Sequence, residues 1–183
     1  AMFAPEFEYH RVTTVAEAIQ LLNTHPGAKA LAGGHSLIPL LKLRQARPPA
    51  LIDIGGIAEL KGISVKDGTI RIGALTTHRE IQTSEELWEA CPMLAEVAGG
   101  IGDTQVRNWG TIGGNVAHAD PASDWPTALT ALNARFLIRG PGGLTRRGSR
   151  TVAPAEFFAG PLTTTLGENE ILTAIEVPRF GPN

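Results

Sequence analysis

Two short stretches of this chain carry residue types suited to holding an anionic ligand. The first is Ala32-Gly33-Gly34-His35-Ser36-Leu37. An apolar run, Ala28 to Ala32, leads into the double glycine, and a helical pattern starts directly after it. Glycine lets backbone N–H groups converge with no side chain in the way. Such groups at a helix start suit a phosphate or diphosphate. Ser36 adds a hydroxyl. The second stretch runs from Thr111 to Asp124 and pairs Gly113-Gly114 with small polar residues. Thr111, Asn115 and His118 offer hydrogen bonds, and Asp124 offers a carboxylate suited to sugar hydroxyls or to a helix N-cap. One such loop alone reads equally well as a tight turn that binds nothing. Two of them in 183 residues point to a dinucleotide clamped along its diphosphate.

Spacing argues against the common alternatives. No G-x-G-x-x-G fingerprint is present, because Gln105 stands where the last glycine after Gly100-Ile101-Gly102 should fall. No glycine is followed by Lys and Ser/Thr, as a nucleotide-hydrolase phosphate loop requires. Gly34-His35-Ser36-Leu37-Ile38 starts like a hydrolase nucleophile elbow, but Ile38 replaces its second glycine. The five histidines are scattered, and His118 with Asp120 makes a poor metal pair. No metal and no catalytic acid, base or nucleophile is therefore assigned. Cys91 is the single cysteine, which excludes an internal disulfide or a cluster of several thiolates and reads as a small buried hydrophobe. Arg146, Arg147 and Arg150 form the densest basic patch, read as a hairpin tip. A formal net charge of -2 with no basic face argues against nucleic acid. No apolar run reaches the ~20 residues of a membrane span. Residues Ala1 to Phe7 lack a charged-then-apolar signal pattern, and a cytoplasmic protein is expected.

The elements that must position the two loops follow from periodicity. Thr14 and Glu17 have capping-box spacing, and Val15, Ala18, Ile19 and Leu22 share one helical face, giving a helix near 14–24. Ala28 to Ala32 reads as a strand, Leu37 to Leu43 as a helix capped by Ser36, and Leu51 to Ile54 as a strand. These make a first α/β lobe over 1–56. A second α+β lobe over 57–183 opens with a hairpin, Ile63–Lys66 and Thr69–Ile72 around Asp67-Gly68. Helices are expected near 76–82, capped by Thr76, and within 85–100. Gly110 to Ala117 reads as a glycine-rich strand or loop, followed by a helix from Ser123 or Asp124 to about Leu132. Arg135–Arg139 and Ser149–Val152 read as paired strands, and Glu170 to Val177 as a last strand. The class is α+β, with two lobes sharing a cleft.

Ala32 to Arg44, AGGHSLIPLLKLR, and Gln105 to Asp124, QVRNWGTIGGNVAHADPASD, resemble the two FAD motifs of the flavoprotein (medium) subunits of molybdenum hydroxylases, of the carbon monoxide dehydrogenase and xanthine dehydrogenase type. Gly73 to His78, Gly160-Pro161 and Glu170 to Leu172 fit in order, so the resemblance covers essentially the whole chain. It implies the two-lobed FAD-binding fold also seen in cell-wall flavin reductases and vanillyl-alcohol-type oxidases. It further implies that Leu31, Ala32, Gly33, Gly34, His35, Ser36 and Leu37 wrap the pyrophosphate. Thr111, Gly113, Gly114, Asn115, Ala117 and His118 face it, and Asp124 holds sugar or ribityl hydroxyls. Ile101 and Gly102 lie near the adenine, and Leu172 packs near the flavin ring. Arg107 is read as a brace for a glycine loop rather than a ligand contact. The implied function is electron relay through FAD to an external acceptor, with an iron–sulfur small subunit and a molybdenum-cofactor large subunit as partners. Members of this family continue into a further C-terminal domain, so a chain stopping at Asn183 is expected to be a fragment or a shortened relative with an open flavin site. Two alternatives stand beside this one: a flavin-free assembly module, and a covalent flavin oxidase tethering its flavin through His35.

Overall fold

The computed structural model describes residues 3–142 and 148–179. Its first sheet is parallel, with strand β1 (Glu8–Arg11) beside β3 (Ala50–Asp53), and β3 beside β2 (Lys29–Leu31). Helix α1 (Val15–Thr24) connects β1 to β2, and α2 (Leu37–Lys42) connects β2 to β3. The capping box at Thr14 and Glu17 forms as expected. The α1 stripe of Val15, Ala18, Ile19 and Leu22 packs on Ala50 and Ile52. Each large side chain buried this way contributes roughly 1.5–3 kcal/mol. Strand β1 was not anticipated, because Glu8-Tyr9-His10-Arg11 is polar on both faces and carries no burial signal.

The second sheet is antiparallel, in the order β4-β5-β10-β6-β7. Its strands are β4 (Ile63–Lys66), β5 (Thr69–Gly73), β6 (Arg135–Arg139), β7 (Ser149–Val152) and β10 (Ile171–Pro178). Asp67 and Gly68 both have positive φ, 49° and 72°, as a two-residue type I′ hairpin requires. A small ribbon, β8 (Phe158–Gly160) with β9 (Thr163–Thr164), follows the short helix α9 (Pro154–Phe157). Helices α3 (His78–Gln82), α4 (Glu85–Ala90), α5 (Pro92–Gly100), α6 (Thr104–Trp109), α7 (Ile112–His118) and α8 (Asp124–Ala131) lie between β5 and β6. Ile70, Ile72, Phe136, Ile138 and Ile175 of the sheet meet Ile81, Leu87, Leu94, Val116, Trp125 and Leu129 of the helices in one core. Cys91 is part of it, and burial raises its thiol pKa.

Four local expectations are corrected. The stretch from Gly110 to Ala117 is not a strand or loop: most of it is helix α7, which runs through Gly113-Gly114 with Thr111 as its cap. The cap of α3 is Thr77, in a capping box with Glu80, not Thr76. The Thr76 hydroxyl is taken by Gly62, bonding both its N–H and its carbonyl at 3.1 Å. Ser36 holds the N-cap position of α2 but its hydroxyl caps nothing, because its backbone is already helical (φ -102°, ψ -48°) rather than extended. Ser123 precedes α8 without capping it, since its hydroxyl donates to Asn115 Oδ1 at 2.5 Å. Arg146 and Arg147 lie outside the described residues. Arg150 lies on β7, bound to Glu170.

Candidate functional site

Residues 74–78 lace the second glycine stretch in place. Gly113 N–H donates to Ala74 O at 2.9 Å, Ile112 N–H to Thr76 O at 3.0 Å, and His78 N–H to Gly110 O at 3.1 Å. The same segment is tied to β10, because Ala74 N–H donates to Thr173 O at 3.0 Å. Thr173 sits at a bulge in the β10–β6 register, and its hydroxyl donates to Leu137 O at 3.0 Å. Bulges re-aim neighbouring side chains, and this one precedes the regular ladder just past Ile171 and Leu172.

The first glycine stretch meets the second directly. A Cβ on Gly33 would lie 2.0 Å from the Trp109 carbonyl oxygen, so only glycine permits this contact. Gly113 is similarly tight, since its Cβ would lie 2.5 Å from Ala74 Cβ and 2.7 Å from Ala74 O. The glycines thus serve first to bring two backbones together. Between them lies a cavity of about 730 Å³. Leu31 to Leu37 line one side, and Thr111, Gly113, Gly114, Asn115, Ala117 and His118 the other, with Ile101 and Leu172. Gly102 and Asp124 do not line it. Gly102 lies in the loop held by Arg107, and Asp124 is the exposed first residue of α8, where its charge favours the helix N-terminus.

Chemical differences separate the two sides. Among the described residues, no hydrogen bond within the chain uses the backbone N–H groups of Gly33, Gly34, His35, Ser36 and Leu37. Successive free backbone donors are the kind of group that binds anions. On the α7 side the amides are spent: Gly114 N–H donates to Thr111 Oγ1 at 3.1 Å, and Asn115 N–H to Thr111 O at 3.0 Å. That side offers side-chain donors instead, the Asn115 amide nitrogen and the Thr111 hydroxyl hydrogen. His35 Nδ1 lies 2.8 Å from Gly33 O, which fixes the ring against its own loop.

Three contributors were missed from sequence. Arg47 lines the cavity as an exposed cation with no ion pair among the described residues. Glu170 also lines it, held below the usual carboxylate range by the Arg150 guanidinium, which donates at 2.9 and 2.7 Å. His78 is 2% exposed and reaches the cavity wall. Its Nδ1 accepts from Trp125 Nε1 at 3.3 Å, and burial with the nearby His35 lowers its pKa to about 4, so it is neutral. The Thr-Thr-His run before a helix was the available signal. Arg107 is a brace: its guanidinium donates to Ile101 O at 3.0 Å and Gly102 O at 3.2 Å.

A large cavity between a strand-to-helix turn with free amides and a second glycine helix is the geometry of a nucleotide-cofactor domain. The chain belongs to the family described as the FAD binding domain in molybdopterin dehydrogenase, whose pattern matches residues 5–180. It is 46% identical over 180 residues to the carbon monoxide dehydrogenase medium chain of Hydrogenophaga pseudoflava, and 42% over 177 residues to the glyceraldehyde dehydrogenase medium chain of Sulfolobus acidocaldarius. These matches cover 98% and 97% of this chain and 61% of each relative, so the chain spans under two thirds of their length. Carbon monoxide dehydrogenase from Hydrogenophaga pseudoflava superposes with a TM-score of 0.94, over 98% of this chain and 61% of that one. Quinoline 2-oxidoreductase from Pseudomonas putida 86 superposes at 0.93 with 34% identity, over 98% and 61%. The fold is thus the α+β FAD-binding fold of these oxidoreductase components, and FAD is the family's cofactor. No helix among the described residues is long and apolar enough to cross a membrane.

Proposed function

We propose that FAD occupies the cavity with its diphosphate on the free amides of Gly33 to Leu37, and that the chain is the FAD-holding part of a molybdenum hydroxylase flavoprotein subunit. The observation that carries this is the row of five N–H groups, unpartnered among the described residues, on residues that line a cavity of about 730 Å³ opposite α7. The donor set fits: amides and Arg47 for the anion, Asn115 and Thr111 for polar groups, Ile101 and Leu172 for apolar ring surface. Neutral His78 adds no charge at the wall, and the Glu170 carboxylate there is paired with Arg150. Bound FAD supplies one- and two-electron redox chemistry, while the chain binds and orients it. In the finer reading, the site stands between iron–sulfur clusters of a small partner subunit and an external acceptor, with the molybdenum cofactor on a large subunit. The relatives' names as medium chains support a complex with further subunits.

Titrating FAD with the purified chain while following flavin fluorescence tests the proposal. Saturable quenching is expected. Ser36→Asp and Gly114→Asp, which place carboxylates at the two sides of the cavity, should each weaken it by about tenfold or more, as an uncompensated charge does at an anion site. Equal binding by wild type and both variants would place the flavin elsewhere. Flavin released to the supernatant on acid precipitation would separate this reading from a covalent attachment at His35.

A further inference from the structure

We propose that Glu8, His10 and His25 form a binding site for one divalent cation of the zinc class. Glu8 and His10 are two apart on β1, so their side chains leave the strand on the same side. His25 stands at the C-cap of α1. The backbone holds both: Glu8 N–H donates to Pro49 O, and His25 N–H to Leu21 O, each at 2.9 Å. None of the three residues lines the flavin cavity, so the inference is independent of the proposed function.

Both imidazoles converge on one carboxylate oxygen. His10 Nε2 lies 3.3 Å and His25 Nε2 3.6 Å from Glu8 Oε2, and all three ligand atoms lie within 4.8 Å of one another. A tetrahedral ion with bonds of ~2.0–2.2 Å sets its ligand atoms roughly 3.3–3.6 Å apart. Two edges of that polyhedron are therefore already built. His25 Nδ1 lies 3.0 Å from Leu21 O, which can only accept, so Nδ1 carries the proton. The Thr24 hydroxyl beside it, at 3.1 Å, already donates to Gln20 O and accepts as well. The same ring's Nε2 is the atom that faces Glu8 Oε2, at 3.6 Å. A cation between the two atoms is held by both, and an Nδ1–H held by a carbonyl is the usual support behind a metal-bound histidine. The rings are 33% and 29% exposed and Glu8 68%, so the fourth position opens to solvent. Two imidazoles with one carboxylate select zinc-like ions over calcium or magnesium. Bound there, the ion ties edge strand β1 to the end of α1.

Tag-free chain is titrated with ZnCl2 by calorimetry and with CoCl2 by visible absorption. One equivalent of Zn2+, tetrahedral Co2+ bands, and a Tm rise of about 2–4 °C at saturation are expected. His10→Ala and His25→Ala should each weaken uptake by about tenfold or more, and Glu8→Gln should do so with the strand's backbone unchanged. All three side chains are at the surface, and far-UV circular dichroism checks that the variants fold. No stoichiometric uptake by wild type, or undiminished uptake by the His10→Ala/His25→Ala double variant, would overturn the proposal.

Discussion

Among single residues, His78 links the cavity wall to pH. It is neutral in the folded chain, with a pKa of about 4 set first by burial and then by His35. In the unfolded chain a histidine titrates near 6.5, so acid favours unfolding. The stability tied to neutral His78 is fully present above pH ~6.5 and is lost as pH falls from there through about 4. A displacement of this size corresponds to about 3 kcal/mol. Urea unfolding at pH 7 and pH 4 should therefore show a smaller acid loss in His78→Gln than in wild type, by about 2–3 kcal/mol. Equal losses would mean that His78 is not the group being titrated. Glu170 acts at lower pH, because its depressed pKa gives stability that is present at neutral pH and lost only as acid protonates the carboxylate beside Arg150. Sequence alone singled out the residues on both sides of the cavity, because glycine pairs and small polar residues mark themselves. It did not find Arg47 or Glu170, whose place depends on a tertiary contact rather than on a local pattern, and it passed over His78 although the Thr-Thr-His run before α3 marks it.

The elements that sequence revealed are those whose signal is local. Helix α1 shows a capping box and one apolar stripe, and the β4–β5 hairpin shows Asp67-Gly68 between alternating residues. Helix α7 was hidden because two adjacent glycines weaken a helix by about 1 kcal/mol each relative to alanine. Its stability comes from Thr111, whose hydroxyl accepts from Gly114 N–H, and from the fit of Gly113 against Ala74. The two glycines should respond differently to alanine. At Gly113 the new methyl meets Ala74 Cβ at 2.5 Å and Ala74 O at 2.7 Å, so α7 must recede. Gly113→Ala should lower stability by about 1–3 kcal/mol, as overpacking does, and weaken FAD binding with it. At Gly114 the only contact under 3 Å is the Thr111 hydroxyl that caps the helix, at 2.9 Å, and the gain in helix propensity offsets a small shift of that cap. Gly114→Ala should stay within about 1 kcal/mol of wild type. Thermal melts of the pair would decide, and equal Tm values would remove the close-packing account of α7.

At the scale of the whole molecule, two cores are joined at the start of β10. Ile171 belongs to the core of α1 and the first sheet, whereas its neighbour Leu172 belongs to the core under the second sheet. Consecutive strand residues point to opposite faces, so one strand end serves both. Ala74 and Leu75 repeat the arrangement, with Ala74 in the second core and Leu75 in the first. We propose that the lobes over 1–56 and 57–183 therefore unfold together, although each has its own sheet. Ile171→Ala tests this, because it removes a first-core side chain (3% exposed) while leaving Leu172 and the β10 ladder in place. It should cost about 2–5 kcal/mol. Hydrogen exchange followed by mass spectrometry reads the two sheets separately. In wild type the slowest amides of β3 and β5 should open with the same free energy. In Ile171→Ala those of β3 should open first, with β5 retaining more protection. A wild-type β3 that already exchanges well ahead of β5 would show the lobes to be independent, and the cavity would then depend on its ligand, rather than on this shared strand, to keep its two sides facing each other.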